Sequence, residues 1–274
     1  EKHPVLETAE RTAPMPTPFR IIEESDQWIV VDKPPFLQAH PSKPGGPRTL
    51  WDELRGLLAF EIACGGQVSI INRLDRETSG LTLIAKTHAA ARYLSMQMQE
   101  RRIAKEYLAI VWGQPQRESW IESGPLLRQG DRQPSRIYLK QMVHPEGAPA
   151  KTRFEVEQRL PVRPGAPEGL GIVRAIPETG RMHQIRVHLA RAGHPVIGDK
   201  IYGPDEGCYL EFIETGWTPS LANRLLLSRH ALHSSSLRLT DSGHEWRSPL
   251  PADLADFVDL SFAKEFSRGF QPTP

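Results

Sequence analysis

Cysteine is scarce in this chain. Only Cys64 and Cys208 occur among 274 residues, which excludes a disulfide framework and any Cys-rich zinc spacing. That usage suits a reducing compartment, and the expected location is cytoplasmic. Net charge is nearly absent as well, since 34 Lys and Arg stand against 33 Asp and Glu, leaving +1. Bulk charge therefore demands neither nucleic acid nor membrane, and an anionic ligand must be held by a local patch. No apolar run approaches the ~20 residues of a membrane span, so no membrane partner is expected. A Walker loop, a G-x-G-x-x-G and a G-x-S-x-G are also missing, which removes the footholds for ATP, dinucleotide and serine-hydrolase chemistry. There is no internal repeat and no visible signal peptide. The sequence starts at Glu1 rather than Met, so a trimmed targeting segment stays open.

What is present has ordinary globular proportions, 39% hydrophobic and 24% charged, enough for one large domain or two joined subdomains. Residues 1–18 contain "TAPMPTP" and no periodicity, and are expected to form a Pro-rich, loosely held arm. "FRIIEESDQWIVVDKPP" predicts a strand pair stopped by Pro34-Pro35. Thr49 can cap a short helix. Two apolar runs, around Ile70 and from Leu81 to Ala85, flank a charged turn and alternate like half-buried strands. "THAAARYLSMQMQ" has the spacing of a helix, and "IAKEYLAIVWG" that of a strand. Farther on, Thr179 is expected to cap a helix whose apolar stripe is Met182, Ile185, Leu189 and Ala192, with Gly193 ending it. "RHALHSSSLRL" reads as a strand, and a short helix near "ADLADFVDLSFAKEF" finishes the body. Strands outnumber helices and many turns are short. The fold class expected is α+β, with a largely antiparallel or mixed central sheet and flanking helices.

The stretch "INRLDRETSGLTLIAK" sets an acidic side chain, Asp75, among arginines at a sheet end. A surface turn aspartate paired with Arg73 or Arg76 is the bland reading. Alternation would put Arg73 and Asp75 on one side and Leu74 on the other. Arg186 lies about 40° from Met182 and about 60° from Leu189 around the helix, on the shoulder of the buried stripe. A semi-buried arginine wants a carboxylate. Asp75 would fill that role, and so would any other nearby acid. Tyr107 shares a strand face with Ile103, Ala109 and Val111, where it belongs to the core unless its hydroxyl opens on a cleft. His183, His188 and His194 are not spaced to share a helix face, so no metal site is expected. Asp75 with Glu77 could suggest a glycosidase pair, but such carboxylates normally come from separate elements.

Taken in order, the motifs resemble the RluA-type family of RNA pseudouridine synthases. "NRLDRETSGLTLIAK" is similar to that family's H-R-L-D-x-x-T-S-G-L, and "AKEYLAIVWG" to its K-x-Y-x-A-x-V-x-G strand. "APAKTRFEV", "GRMHQIRVHLARAGHPVIGDKIYG", "VVDKPPFLQAHP" and "RHALHSSSLRL" resemble four further blocks. The resemblance runs from about Ile21 to Leu254. It implies a catalytic domain with a cleft across its sheet, expected over 19–262 with a tail at 263–274. Some members carry an S4-like domain ahead of it, and with only about 20 residues before the first block none is expected here. It implies Asp75 as catalytic aspartate, with Arg186 as its cleft partner. Tyr107 would stack on the base or take the proton from C5, Arg73 would help flip the nucleotide, and Leu232 would contact the base. Arg181, His183 and Lys105 are expected on the RNA side of the cleft. Three positions depart from the pattern: Asn72 for His, Met182 for Thr or Ser, and Phe36 for Gly.

The implied reaction breaks N1–C1′, turns the uracil and rejoins it through C5, so neither metal nor cofactor is required. One carboxylate serves, as nucleophile on C1′ or as base at C2′. The identity of the C5 base stays open. The expected partner is RNA, in a ribosomal or transfer RNA stem-loop whose bases can be splayed, bound by a monomer. Arg101 and Arg102 and the series Arg128, Arg132, Arg136 and Lys140 offer either a basic RNA-binding loop or a solvated surface. The rival from another class is a non-catalytic RNA-binding or chaperone protein on the same fold.

Overall fold

The computed structural model describes residues 17–258. Nearly all of the expected 1–18 arm, the boundary at 262 and the 263–274 tail lie outside the described residues.

Strands β1 (Arg20–Glu24) and β2 (Trp28–Lys33) form the expected antiparallel pair. Helix α1 (Leu50–Leu57) begins with a capping box: Thr49 Oγ1 accepts from the Asp52 amide, and the Asp52 carboxylate accepts from the Thr49 amide at 2.9 Å. There follow α2 (Ala59–Ala63), β3 (Ser69–Ile70), β4 (Ser79–Ala85), α3 (His88–Gln99) and β5 (Ile103–Trp112). The middle of the chain supplies β6 (Ser119–Ser123), β7 (Leu126–Arg128), β8 (Gln141–Val143), β9 (Lys151–Leu160) and β10 (Leu170–Pro177). The last part holds α4 (Gln184–Arg191), α5 (Gly207–Thr215), α6 (Pro219–Leu225), β11 (Leu232–Leu239), β12 (Glu245–Arg247) and α7 (Ala252–Val258). The architecture is α+β, as expected.

One sheet runs β1-β2-β4-β11-β5-β10-β9-β6, with β3 beside β4 and β12 beside β11. Strands β4 and β11 pair in parallel, and the other described pairs are antiparallel. At that parallel contact the backbones nearly touch. A Cβ on Gly80 would sit 2.3 Å from the Ser234 carbonyl oxygen, and Gly80 has φ +109°. Glycine is therefore required there on both counts.

The strands flanking the charged turn differ from expectation. Every residue of β4 is buried, Thr82 included. The reason is cover on both faces. Helix α1 and its C-cap pack Leu50, Leu54 and Leu58 against Ile29, Val31 and Ile84. Helix α3 packs Ala90 and Leu94 with Val30, Leu81 and Leu83 from the other side. A strand covered twice loses its polar alternation.

Helix α4 also corrects the sequence reading. Thr179 does not cap it: its hydroxyl accepts from the Lys151 amide at 3.1 Å and donates to Gln184 Oε1 at 2.7 Å, tying β9 to the helix start. The capping position is His183, in the left-handed region at φ +57°. Met182 consequently falls outside the helix and is 49% exposed, whereas Ile185 and Leu189 are buried as expected. Gly193, at φ +86°, ends the helix.

Candidate active site

The loop from 71 to 78, between β3 and β4, is braced from three sides. Asn72 is buried and imitates a strand neighbour: its amide donates to the Leu81 carbonyl at 3.0 Å, and its oxygen accepts from the Leu83 amide at 2.7 Å. Leu74 is buried in the main core with Tyr107 and Ile185. From below, the fully buried Lys33 ammonium donates to the carbonyls of Pro34, Leu37 and Arg76, at 2.9, 2.9 and 3.3 Å. Burial brings the Lys33 pKa down to about 7, opposed by the nearby Asp75 charge. The segment forms a loop rather than a strand, yet Arg73 and Asp75 both line the cleft while Leu74 points into the core, as the alternation predicted. Arg73 is exposed at the cleft and Asp75 is half-buried beside it.

Asp75 Oδ2 accepts from Arg186 Nη1 at 2.8 Å. The same guanidinium is held on its other edge by Asp199, with Nε to Oδ2 at 2.6 Å and Nη2 to Oδ1 at 2.9 Å. Asp199 also accepts the amides of Ile201 and Tyr202, at 3.0 and 3.1 Å. Burial alone would raise the Asp75 pKa. His183, Arg186 and His230 outweigh it and bring the carboxyl to about 2. Both imidazoles are themselves hard to protonate. Burial and the Arg186 charge lower His183 to about 4 and His230 well below the usual histidine value. Near neutral pH the Arg186 cation therefore keeps Asp75 ionised.

Around this pair lies a cleft of about 1340 Å³, which all eight residues singled out from the sequence line. Tyr107 and Leu232 come from the paired strands β5 and β11 and are 8% and 4% exposed. Burial, with the Asp75 charge, raises the Tyr107 hydroxyl to about 12, so it stays protonated at neutral pH. Lys105 is buried beside Met98, with its Nζ 3.6 Å from the sulfur, and burial lowers its pKa. Arg181 is exposed and donates to the Pro149 carbonyl at 3.2 Å. His183 Nε2 stands 3.9 Å from Asp75 Oδ2. The other two histidines of that segment are elsewhere: His188 bonds Thr152 and the Gly124 carbonyl, and His194 faces the Trp112 carbonyl.

Glu77 does not face Asp75 as a second reacting acid. It pairs with Lys200 at 2.8 Å and accepts the His230 amide at 3.2 Å. The basic series splits apart: Arg128 pairs with Asp131, Arg132 with Glu146, and Lys140 with Glu206. Of the departures from the family pattern, Phe36 has φ +68°, the backbone region that a glycine takes more readily.

Sequence reasoning missed Asp199, Tyr202 and His230. The signal for the first two was the "GDKIYG" segment, where an acid next to glycine follows the helix that carries Arg186.

Residues 27–191 match the sequence pattern of the family described as RNA pseudouridylate synthase. The chain is 34% identical over 252 residues to the ribosomal large subunit pseudouridine synthase D of Salmonella typhimurium, an overlap covering 88% of this chain and 70% of that one. It is 35% identical over 244 residues to the protein of the same description from Nitrosomonas europaea, covering 87% and 64%. Among solved structures, it superposes on Human RNA Pseudouridylate Synthase Domain Containing 1 with a TM-score of 0.64 at 24% identity, covering 96% of this chain and all of the other. Human RNA Pseudouridylate Synthase Domain Containing 4 gives 0.65 at 21%, covering 91% and 93%. These two likenesses concern the fold.

Proposed function

The chain belongs to the RNA pseudouridylate synthase family and isomerises uridine in RNA to pseudouridine; we propose that its target is large-subunit ribosomal RNA and that Asp75 does the chemistry. One observation carries the second part. Asp75 is an ionised carboxylate with a single Arg186 bond, and its side chain is 29% exposed to the cleft. Its other oxygen is left for a ribose. The carboxylate either adds to C1′ or takes a proton from C2′, and in both routes the electron pair of N1–C1′ leaves with the uracil.

Arg186 is the positioning partner, since Asp199 fixes its guanidinium plane before Asp75 meets it. Leu232 and the Tyr107 ring form an apolar floor for the base. A tyrosine still protonated far above neutral pH favours packing over proton abstraction at C5. Exposed Arg73 and Arg181 are suited to phosphate contacts and to filling the stack vacated by the flipped nucleotide. The large-subunit target rests on the names of the bacterial relatives. Residues 19–262 are read as one catalytic unit, acting as a monomer in the cytoplasm.

The test is carbodiimide mapping of pseudouridine on total RNA from cells with and without the protein. A large-subunit uridine should lose its label in the knockout and regain it with wild type but not with Asp75→Asn. Full rescue by Asp75→Asn would end the assignment of Asp75. A modified site found only in transfer RNA would move the substrate there.

A further inference from the structure

His183 sits at the mouth of this site in an unusual way. It is a non-glycine residue at φ +57°, and its side chain is only 8% exposed. Its ring meets the Tyr202 ring edge-on at 5.6 Å, and Nδ1 lies 2.8 Å from the Tyr202 oxygen. The tautomer follows from the donor count. The Gln141 amide already donates to that oxygen at 2.8 Å. The Tyr202 hydroxyl proton then has His183 Nδ1 as its acceptor, because a buried O–H seeks a partner. With Nδ1 accepting, the ring proton resides on Nε2. That N–H faces the cleft, 3.9 Å from Asp75 and beyond hydrogen-bond reach of it.

Resting on the assignment of Asp75 above, we propose that His183 is a neutral hydrogen-bond donor to the detached uracil, holding its anionic carbonyl without ever protonating the ring. When N1–C1′ breaks, both electrons stay on uracil, and the charge spreads over N1, O2 and O4. The ring must then attack C1′ through C5, either displacing the Asp75 carboxylate from C1′ or adding to the C1′–C2′ double bond while Asp75 returns the proton to C2′, and finally lose the C5 hydrogen to a base. A proton delivered to the anion would leave neutral uracil, whose C5 is a far weaker nucleophile. The donor therefore has to stabilise charge and keep its proton. The groups facing His183 are Asp75, Arg186, Asp199 and Tyr202, with Arg186 opposing imidazolium formation and the two carboxylates favouring it. Burial and Arg186 prevail, so the ring is neutral at working pH. A fixed neutral imidazole N–H aimed at developing oxyanion charge is a strong electrostatic device in a desolvated site.

The test compares His183→Ala with His183→Gln. Gln keeps an N–H donor at similar reach and cannot titrate, and both variants carry the same left-handed backbone, so their difference isolates the donor. Single-turnover tritium release would be followed from total RNA of the knockout labelled with [5-³H]uridine, from pH 5 to 9. The expected result is a loss on the order of 100-fold for Ala. Gln should stay within about tenfold of wild type and keep its pH profile. A Gln variant as slow as Ala would make proton transfer the role of His183 and overturn the proposal; an Ala variant as fast as wild type would do so equally. Thermal melting of both variants identifies any loss due to unfolding, and in that case the Gln-to-wild-type comparison decides. Asp75→Asn in the same assay keeps the two ideas apart, because its activity would refute the Asp75 assignment whatever His183 does.

Discussion

Two loops bring a carboxylate to the same guanidinium, and they treat it oppositely. The turn after residue 198 buries Asp199 completely and saturates it, with two bonds from Arg186 and two from backbone amides. The 71–78 loop gives Asp75 one bond from Arg186 and leaves its side chain part-exposed. A saturated carboxylate is a structural part, since every lone pair that matters is committed. An under-bonded one in the same field stays ionised and keeps an oxygen for chemistry. Acidity alone does not separate the two, because Arg186 holds both below the usual carboxylate range. Coordination does.

The sharpest way to break the comparison is the same isosteric change on each side. Asp199→Asn should cost about 3–5 kcal/mol in urea denaturation, because it strands a buried arginine. A cost below about 1 kcal/mol would deny Asp199 its structural role. Next comes Gly80→Ala, which forces a Cβ into the Ser234 backbone at a positive φ. It should cost at least ~2 kcal/mol by the same measurement, with loss of tritium release as the 71–78 loop shifts. Asp75→Asn comes third, at about 2 kcal/mol or less near neutral pH. The sign follows from its lowered pKa of about 2. Its stabilisation is fully present above the unfolded value of about 3.9 and is lost as pH falls through ~4 toward ~2. The gap between wild type and Asp75→Asn should close over that window. A gap that stayed constant to the acid end would show that Asp75 is not held ionised by Arg186. The smallest effect belongs to the exposed ion pairs. Arg128→Ala and Arg132→Ala should each shift stability by less than about 0.5 kcal/mol, and RNA affinity by filter binding by less than about twofold. A large, salt-sensitive loss of affinity would restore that loop as an RNA contact.

Much of this was legible in the sequence where the cause is local. The β1–β2 pair, the Thr49 cap, α3 and β5 follow from periodicity and capping chemistry, and the shoulder position of Arg186 announced a buried cation in need of an acid. What was hidden depends on third parties. Asp199 comes from a turn that helix periodicity does not reach. Strand β4 looked half-buried because nothing in its own residues says that helices cover both faces. The start of α4 was placed too early because Thr179, a good cap by type, spends its hydroxyl on β9 and Gln184 instead. The bracing of the 71–78 loop by Lys33 and Asn72 was also hidden, since Lys33 comes from outside the charged turn and Asn72 bonds across to β4.

The place of β11 has a consequence for the order in which a growing chain becomes an enzyme. In the sheet it separates β4 from β5, which are consecutive strands in the sequence, and it joins the β1-β2-β4 half to the β5-β10-β9-β6 half. It also supplies Leu232 to the cleft floor, just after His230, which bonds Thr78. Until residues 230–239 leave the ribosome, the two halves present unpaired edges, and the loop bearing Asp75 lacks its far support. Asp75, made early, thus waits on a strand made more than 150 residues later. The carboxylate proposed to react gains its full surroundings only when nearly all of the described chain exists.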